Sequence, residues 1–282
     1  MVAFEALAFV FLAGLVTDLA TGLGALPFFY VDEVSDRWTV ALWGVASGIM
    51  LAASFFGLAR EGLAYSSGFP TLLVAGVIVG VVLVEASDRL LDRLQLADGE
   101  GALSPDVDPA AIASGDWRTL VLVLGVLTVH SFPEGVAVGV SFAELGLASG
   151  VPIFGLTVPP LAVLMTVAIS VHNIPEGLAV SIPLKAMDVG EWRMVGAAVF
   201  SSLPQPIGAV VAFAFVRLAR AFLPFGFGFA AGAMVYLVLT EFVPDALEAG
   251  RDLPHRGILP FLAGVLAGVA VMVPLLFIHV GP

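Results

Sequence analysis

Long uncharged apolar runs separated by short polar breaks make up nearly the whole chain. A hydrocarbon core about 30 Å thick takes about 20 apolar residues at 1.5 Å rise per residue. Runs of that kind occupy Trp38–Ala59, Met194–Val216, Ala221–Thr240 and Gly257–Pro282. A fifth, from Pro70 to Val84, extends until it meets Glu85, Asp88, Arg89 and Arg93, and a sixth opens the chain, interrupted in its middle by Asp18. Two more lie over Leu120–Phe142 and Pro159–Leu184. The pattern predicts an all-α polytopic membrane protein, a single transmembrane domain over residues 1–282. Its eight spans fall near 2–29, 38–60, 70–93, 117–143, 157–184, 192–217, 221–247 and 257–281. Alternating ten-residue segments are absent, which argues against a β-barrel. Residues 94–116, acidic and rich in Gly, Pro, Ala and Ser, read as a flexible loop.

Composition agrees with that pattern and narrows the function. The 282 residues are 60% hydrophobic and 12% charged, with a mean hydropathy of +1.06. Soluble domains carry roughly twice that share of charge. The net charge of −12 removes the basic surface a nucleic-acid partner needs. With no cysteine, thiolate metal sites and thiol nucleophiles are excluded. The first run lacks a basic leader and a clean cleavage site, so it is expected to be retained as a span. With an external N-terminus, Arg37, Arg89, Arg93, Arg118, Lys185, Arg193, Arg251 and Arg256 fall on the cytoplasmic side. Arg60, Arg217 and Arg220 then face outward, and this bias predicts that both termini are extracytoplasmic in the cell membrane.

The candidate chemistry lies in two neighbouring spans. His130 begins HSFPEGVAV and His172 begins HNIPEGLAV, 42 residues later, which is an internal repeat centred on polar residues. Residues four apart share a helix face, so His130 and Glu134 form one pair and His172 and Glu176 another. Consecutive spans run antiparallel, and both motifs sit near mid-span, so the two pairs should meet at one depth. Two imidazoles and two carboxylates suit Zn²⁺, Fe²⁺ or Mn²⁺. Pro133 and Pro175 free the carbonyls of Val129 and Val171, while Gly135 and Gly177 give room for close helix approach.

A plainer account treats each His as an interhelical hydrogen bonder and each Pro-Gly as a kink. A centred carboxylate costs about 2.5–3.5 kcal/mol even on the lenient insertion scale. Two of them, with no Lys or Arg between Arg118 and Lys185, call for a bound cation or protons. Glu241 and Glu85 divide equally between helix-end solvation and a cation exit path. Asp88 and Asp245 read as solvated ends, and Asp18 falls in the inner half of the first span. His255 and His279 carry no assignment.

These residues give the chain a resemblance to the ZIP (Zrt/Irt-like) divalent-metal transporters, in their GufA-like branch. Besides the paired motif, the matching stretches are TGLGALP (21–27), GVASGIMLAASFF (44–56), PQPIGA (204–209) and AGAMVYLVLTEFVPDA (231–246), in the family's order. The resemblance implies eight spans, external termini, a binuclear metal site between spans four and five, a homodimer, and metal movement toward the cytoplasm. It assigns His130, Glu134, His172 and Glu176 as main ligands and Met50 as an approaching thioether. At the adjoining second position well-formed relatives use Asn on span four, an acid or Asn on span five and often Glu on span six. Here Ser131, Asn173 and Gln205 stand there, all neutral, so that position is expected to bind weakly. Glu241 could supply what is missing there.

The leading function is therefore transport of a divalent transition metal, zinc first, with iron, manganese or cadmium open. An intramembrane metal-dependent hydrolase is the alternative. It needs an open coordination position and a free base, and the HExxH arrangement is absent. A proton-coupled carrier of organic substrate would use the same Glu residues without metal.

Overall fold

The computed structural model describes residues 4–66, 68–96, 131–147, 150–186 and 188–276. Among these, seven helices are long and apolar enough to cross a membrane. They are α1 (Phe4–Leu23), α2 (Asp36–Ala64), α3 (Thr71–Leu96), α5 (Pro160–Ala186), α6 (Glu191–Leu218), α7 (Arg220–Ala249) and α8 (Ile258–Leu276). Helical residues 131–141 form the described part of α4. The start of the fourth span and His130 lie outside the described residues, as does the loop from residue 97 onward. Residues 94–96, expected in that loop, instead close α3.

Local chemistry explains where the helices depart from the hydropathy pattern. The first span stops at Leu23 rather than 29 because Gly24 packs directly on the Ile174 carbonyl, and Pro27 then sets a 3₁₀ turn over Leu26–Phe29. The fifth starts at Pro160 rather than 157. Leu156–Val158 (β2) is consumed in an antiparallel pair with Val151–Ile153 (β1), turned at Phe154 and Gly155, both with positive φ. In α6 the regular bonding lapses at Ser202–Leu203 and resumes with Pro204, whose missing N–H costs nothing at a helix start. Wide π-type turns interrupt α2 at Ala53–Ala59 and α7 at Val238–Phe242.

The helices sort into two groups. In one, α2 packs along α8 and α3 along α7; in the other, α1 packs on α5 and α6, and α4 on α6. Glycines make these contacts in reciprocal pairs. Gly44 and Gly48 of α2 rest on the Phe261 and Val265 carbonyls of α8, and Gly264 and Gly268 rest on Ala41 and Val45 in return. Gly76 and Gly80 of α3 meet Phe225 and Phe229 of α7, while Gly228 and Gly232 answer against Leu73 and Val77. Gly135 and Gly139 bring α4 onto the backbone of Gln205 and Ala209 in α6. Between the groups, among the described residues, α2 packs against α5.

A methyl group at Gly48 would collide with backbone that cannot move aside. Gly48→Ala is expected to destabilise by about 1–3 kcal/mol. At Gly196 nothing lies within 4 Å of an added carbon, so Gly196→Ala should be neutral or stabilise by up to about 1 kcal/mol. Thermal unfolding of the purified variants in detergent checks both; equal shifts would show that the α2–α8 contact is looser than described.

Candidate metal centre

Glu134 on α4 and His172 and Glu176 on α5 form a compact cluster whose ligand atoms all lie within 4.8 Å of one another. Glu134 is 2% exposed and His172 0%, with Glu176 partly buried. The i, i+4 spacing puts His172 and Glu176 on one face of α5 despite Pro175 between them, since the helix runs through that proline without a break. Close approach of α4 to α6 at Gly135 holds Glu134 at the same level.

Neighbours orient Glu134 and His172. His172 Nε2 sits 3.1 Å from Glu134 Oε1, and the ring stacks on Phe242 of α7 at 5.3 Å between centroids. Trp43 of α2 backs Phe242 at 4.9 Å. His172 also lies against the backbone of α2 at Ala46. The Gln205 amide donates to Glu134 Oε2, and its oxygen accepts from Asn173 Nδ2 at 3.0 Å. Asn173 Nδ2 also donates to the Thr17 carbonyl of α1 at 2.7 Å. The Ser131 hydroxyl donates to the Ser201 carbonyl at 3.1 Å.

Buried carboxylates and an imidazole held this close can exchange their mutual hydrogen bonding for a divalent cation, which a low-dielectric setting then attracts strongly. Two of the neutral trio hold the carboxylate in place. Gln205 and Asn173 form a chain from α1 to Glu134 that orients the carboxylate. Met50 is 1% exposed, one turn beyond Ala46 on α2, and so on the face turned toward α5. Glu241 is partly buried in the π-type turn of α7 and is not a member of the described cluster. Phe242 was not anticipated as a site residue. The one hint is its place beside an acid in the middle of an apolar run. Thr17 and Thr21 were likewise missed, because a hydroxyl in a span is usually spent on its own helix. Thr21 instead shares a 2.7 Å bond with Ser202 of α6.

A membrane-spanning helical bundle with a buried carboxylate–imidazole cluster is a metal-handling architecture, and the comparisons say which. Residues 87–276 match the ZIP zinc transporter family, and the chain belongs to it. It is 30% identical to the zinc transporter GufA of Myxococcus xanthus, over 85% of this chain and 91% of that one. A zinc transporter ZupT of Corynebacterium aurimucosum is 29% identical over 94% and 95% of the two chains. A putative zinc transporter of Arabidopsis thaliana is 40% identical over 81% of this chain, which spans only 33% of that longer protein.

Gln205 tests the reading of the neutral trio. Gln205→Glu keeps the shape but removes the donor to Glu134 and adds a charge beside it. Without metal it should lower stability by about 1–3 kcal/mol, as one buried acceptor loses its partner. With zinc it should tighten the second of two binding steps in calorimetry. Two equally tight steps in the unmodified protein would show that the neutral side chains already suffice.

Proposed function

We propose that this protein carries divalent transition-metal ions, zinc foremost, across the membrane toward the cytoplasm through Glu134, His172 and Glu176, joined by His130. The observation that carries this reading is the buried three-residue cluster at the junction of two helix groups, in a chain of the ZIP family. His130 stands four residues before Glu134, as His172 does before Glu176, which supports a fourth ligand of the same kind. Ser131, Asn173 and Gln205 line a weaker second position, with the Met50 thioether at the edge.

The chemistry of a carrier follows from this placement. An entering ion sheds water against carboxylates and imidazole that replace its hydration shell. Carboxylates shared between α4 and α5 move together when their group shifts against α2, α3, α7 and α8. That shift separates His172 from Phe242 and changes which solution the ion meets. The same reading has both termini outside the cytoplasm, supported by the Lys and Arg distribution, and the protein in the plasma membrane. It also has a homodimer, with the largely uncovered faces of α3 and α8 offering surface to lipid and a second copy.

Zinc uptake into proteoliposomes holding the full chain tests the proposal. Glu134→Ala, His172→Ala and Glu176→Ala should each reduce uptake by about tenfold or more, since each removes a metal-ligand interaction worth upward of 1.4 kcal/mol. Phe242→Leu should preserve zinc binding and alter only the rate. Full uptake in the three alanine variants would overturn the assignment.

A further inference from the structure

Asp18 of α1 belongs to none of the groups described above. It is 0% exposed, and neither of its carboxylate oxygens has a hydrogen-bond partner. The helix-end solvation that would explain an acid in a span therefore does not apply. Gly14 and Gly22, one turn to either side of it, pack against α6 at Pro206 and at Val199. The carboxylate thus faces α6 between those contacts, where regular bonding lapses at Ser202–Leu203.

The surroundings are rich in oxygen acceptors. Thr21, three residues on, shares its hydroxyl bond with Ser202, and both side chains are 0% exposed. Next to Asp18 in sequence, the Thr17 carbonyl holds Asn173 Nδ2, which leaves Asn173 Oδ1 as a further buried oxygen with no donor. Lys and Arg are absent from α1 and from α6 between Arg193 and Arg217. The new helix start at Pro204 does not neutralise the acid through its amides, because the Gln205 N–H is taken by the Ser202 carbonyl. An unpaired charge in hydrocarbon is too costly to leave uncompensated.

We propose that Asp18, with the hydroxyls of Thr21 and Ser202 at the break in α6, forms a binding site for a sodium ion. One carboxylate balances one positive charge. Neutral hydroxyl oxygens suit a hard alkali cation, whereas a transition metal is better served by the imidazole and carboxylates of the main cluster. Interrupted helices whose oxygens turn inward are where membrane proteins hold such ions. Occupancy would lock α1 to both halves of α6, the helix that also carries Gln205.

The test is thermal unfolding of the full chain in detergent, free of zinc, in sodium chloride against choline chloride at matched ionic strength and pH. The melting temperature should rise with sodium and not with choline. Asp18→Asn should remove that difference, and Ser202→Ala should require about tenfold more sodium for the same shift. Equal melting temperatures in the two salts would overturn the proposal, as would a sodium-specific rise surviving in Asp18→Asn. A pH-dependent melting temperature with no sodium effect would also overturn it, in favour of a proton held on the carboxyl. If Asp18→Asn does not fold, Thr21→Val gives the same reading, and an unchanged sodium requirement there counts against the site. The readout uses no zinc, so its failure and the failure of metal transport are separate results.

Discussion

Hydrocarbon gives helices no reason to associate, because a lipid tail is as apolar as a leucine. Packing contact and interhelical hydrogen bonds must do that work instead. This protein meets the constraint by letting backbones touch at paired glycines. Gly44 and Gly48 are answered by Gly264 and Gly268, and Gly76 and Gly80 by Gly228 and Gly232. The contacts are made with atoms that have no rotamers, so they fix helix position closely. The polar centre depends on that precision: Glu134 reaches its partners only because Gly135 lets α4 lie on the backbone of Gln205.

The buried polar groups then form one continuous system rather than isolated pairs. It runs from the Thr17 carbonyl through Asn173 and Gln205 to Glu134, His172 and the Phe242 ring, touching five helices. Donors are scarce in it and acceptors plentiful. A network of that kind is poorly satisfied by itself in a low-dielectric medium and well satisfied by cations. Gln205 supplies one of the few donors, to Glu134, and an acceptor for Asn173.

Most of the fold was legible in the sequence because burial in lipid leaves a long unbroken signal. The span edges were less so: where Gly24 meets α5 or β2 pairs with β1, the deciding contact comes from another segment. In the site, the i, i+4 rule was enough to join His172 to Glu176, and the repeat pointed to Glu134 as their partner. The actual use of Asn173 and Gln205, bonded to each other, needed the third dimension, since nothing in a sequence tells which acceptor an amide will choose. The glycine pairs had a visible signal in their four-residue spacing, in GVASG, GVIVG and GVLAG, but a spacing does not name its partner helix.

His172 stands where the two helix groups meet. Its own helix belongs to the group with α1, α4 and α6, yet its ring stacks on Phe242, Trp43 backs Phe242, and the imidazole lies against the backbone at Ala46, all three on the other group. Phe242 closes a π-type turn, where the helix carries an extra residue and its bonding is weaker. The two groups are thus held rigidly within themselves by backbone contacts and meet, beside the cluster, through side chains and a locally softened helix. Rigid bodies joined through a compliant seam move at the seam. A metal-binding imidazole placed on that seam makes the position of one group against the other depend on whether an ion is bound, which is the coupling a carrier requires.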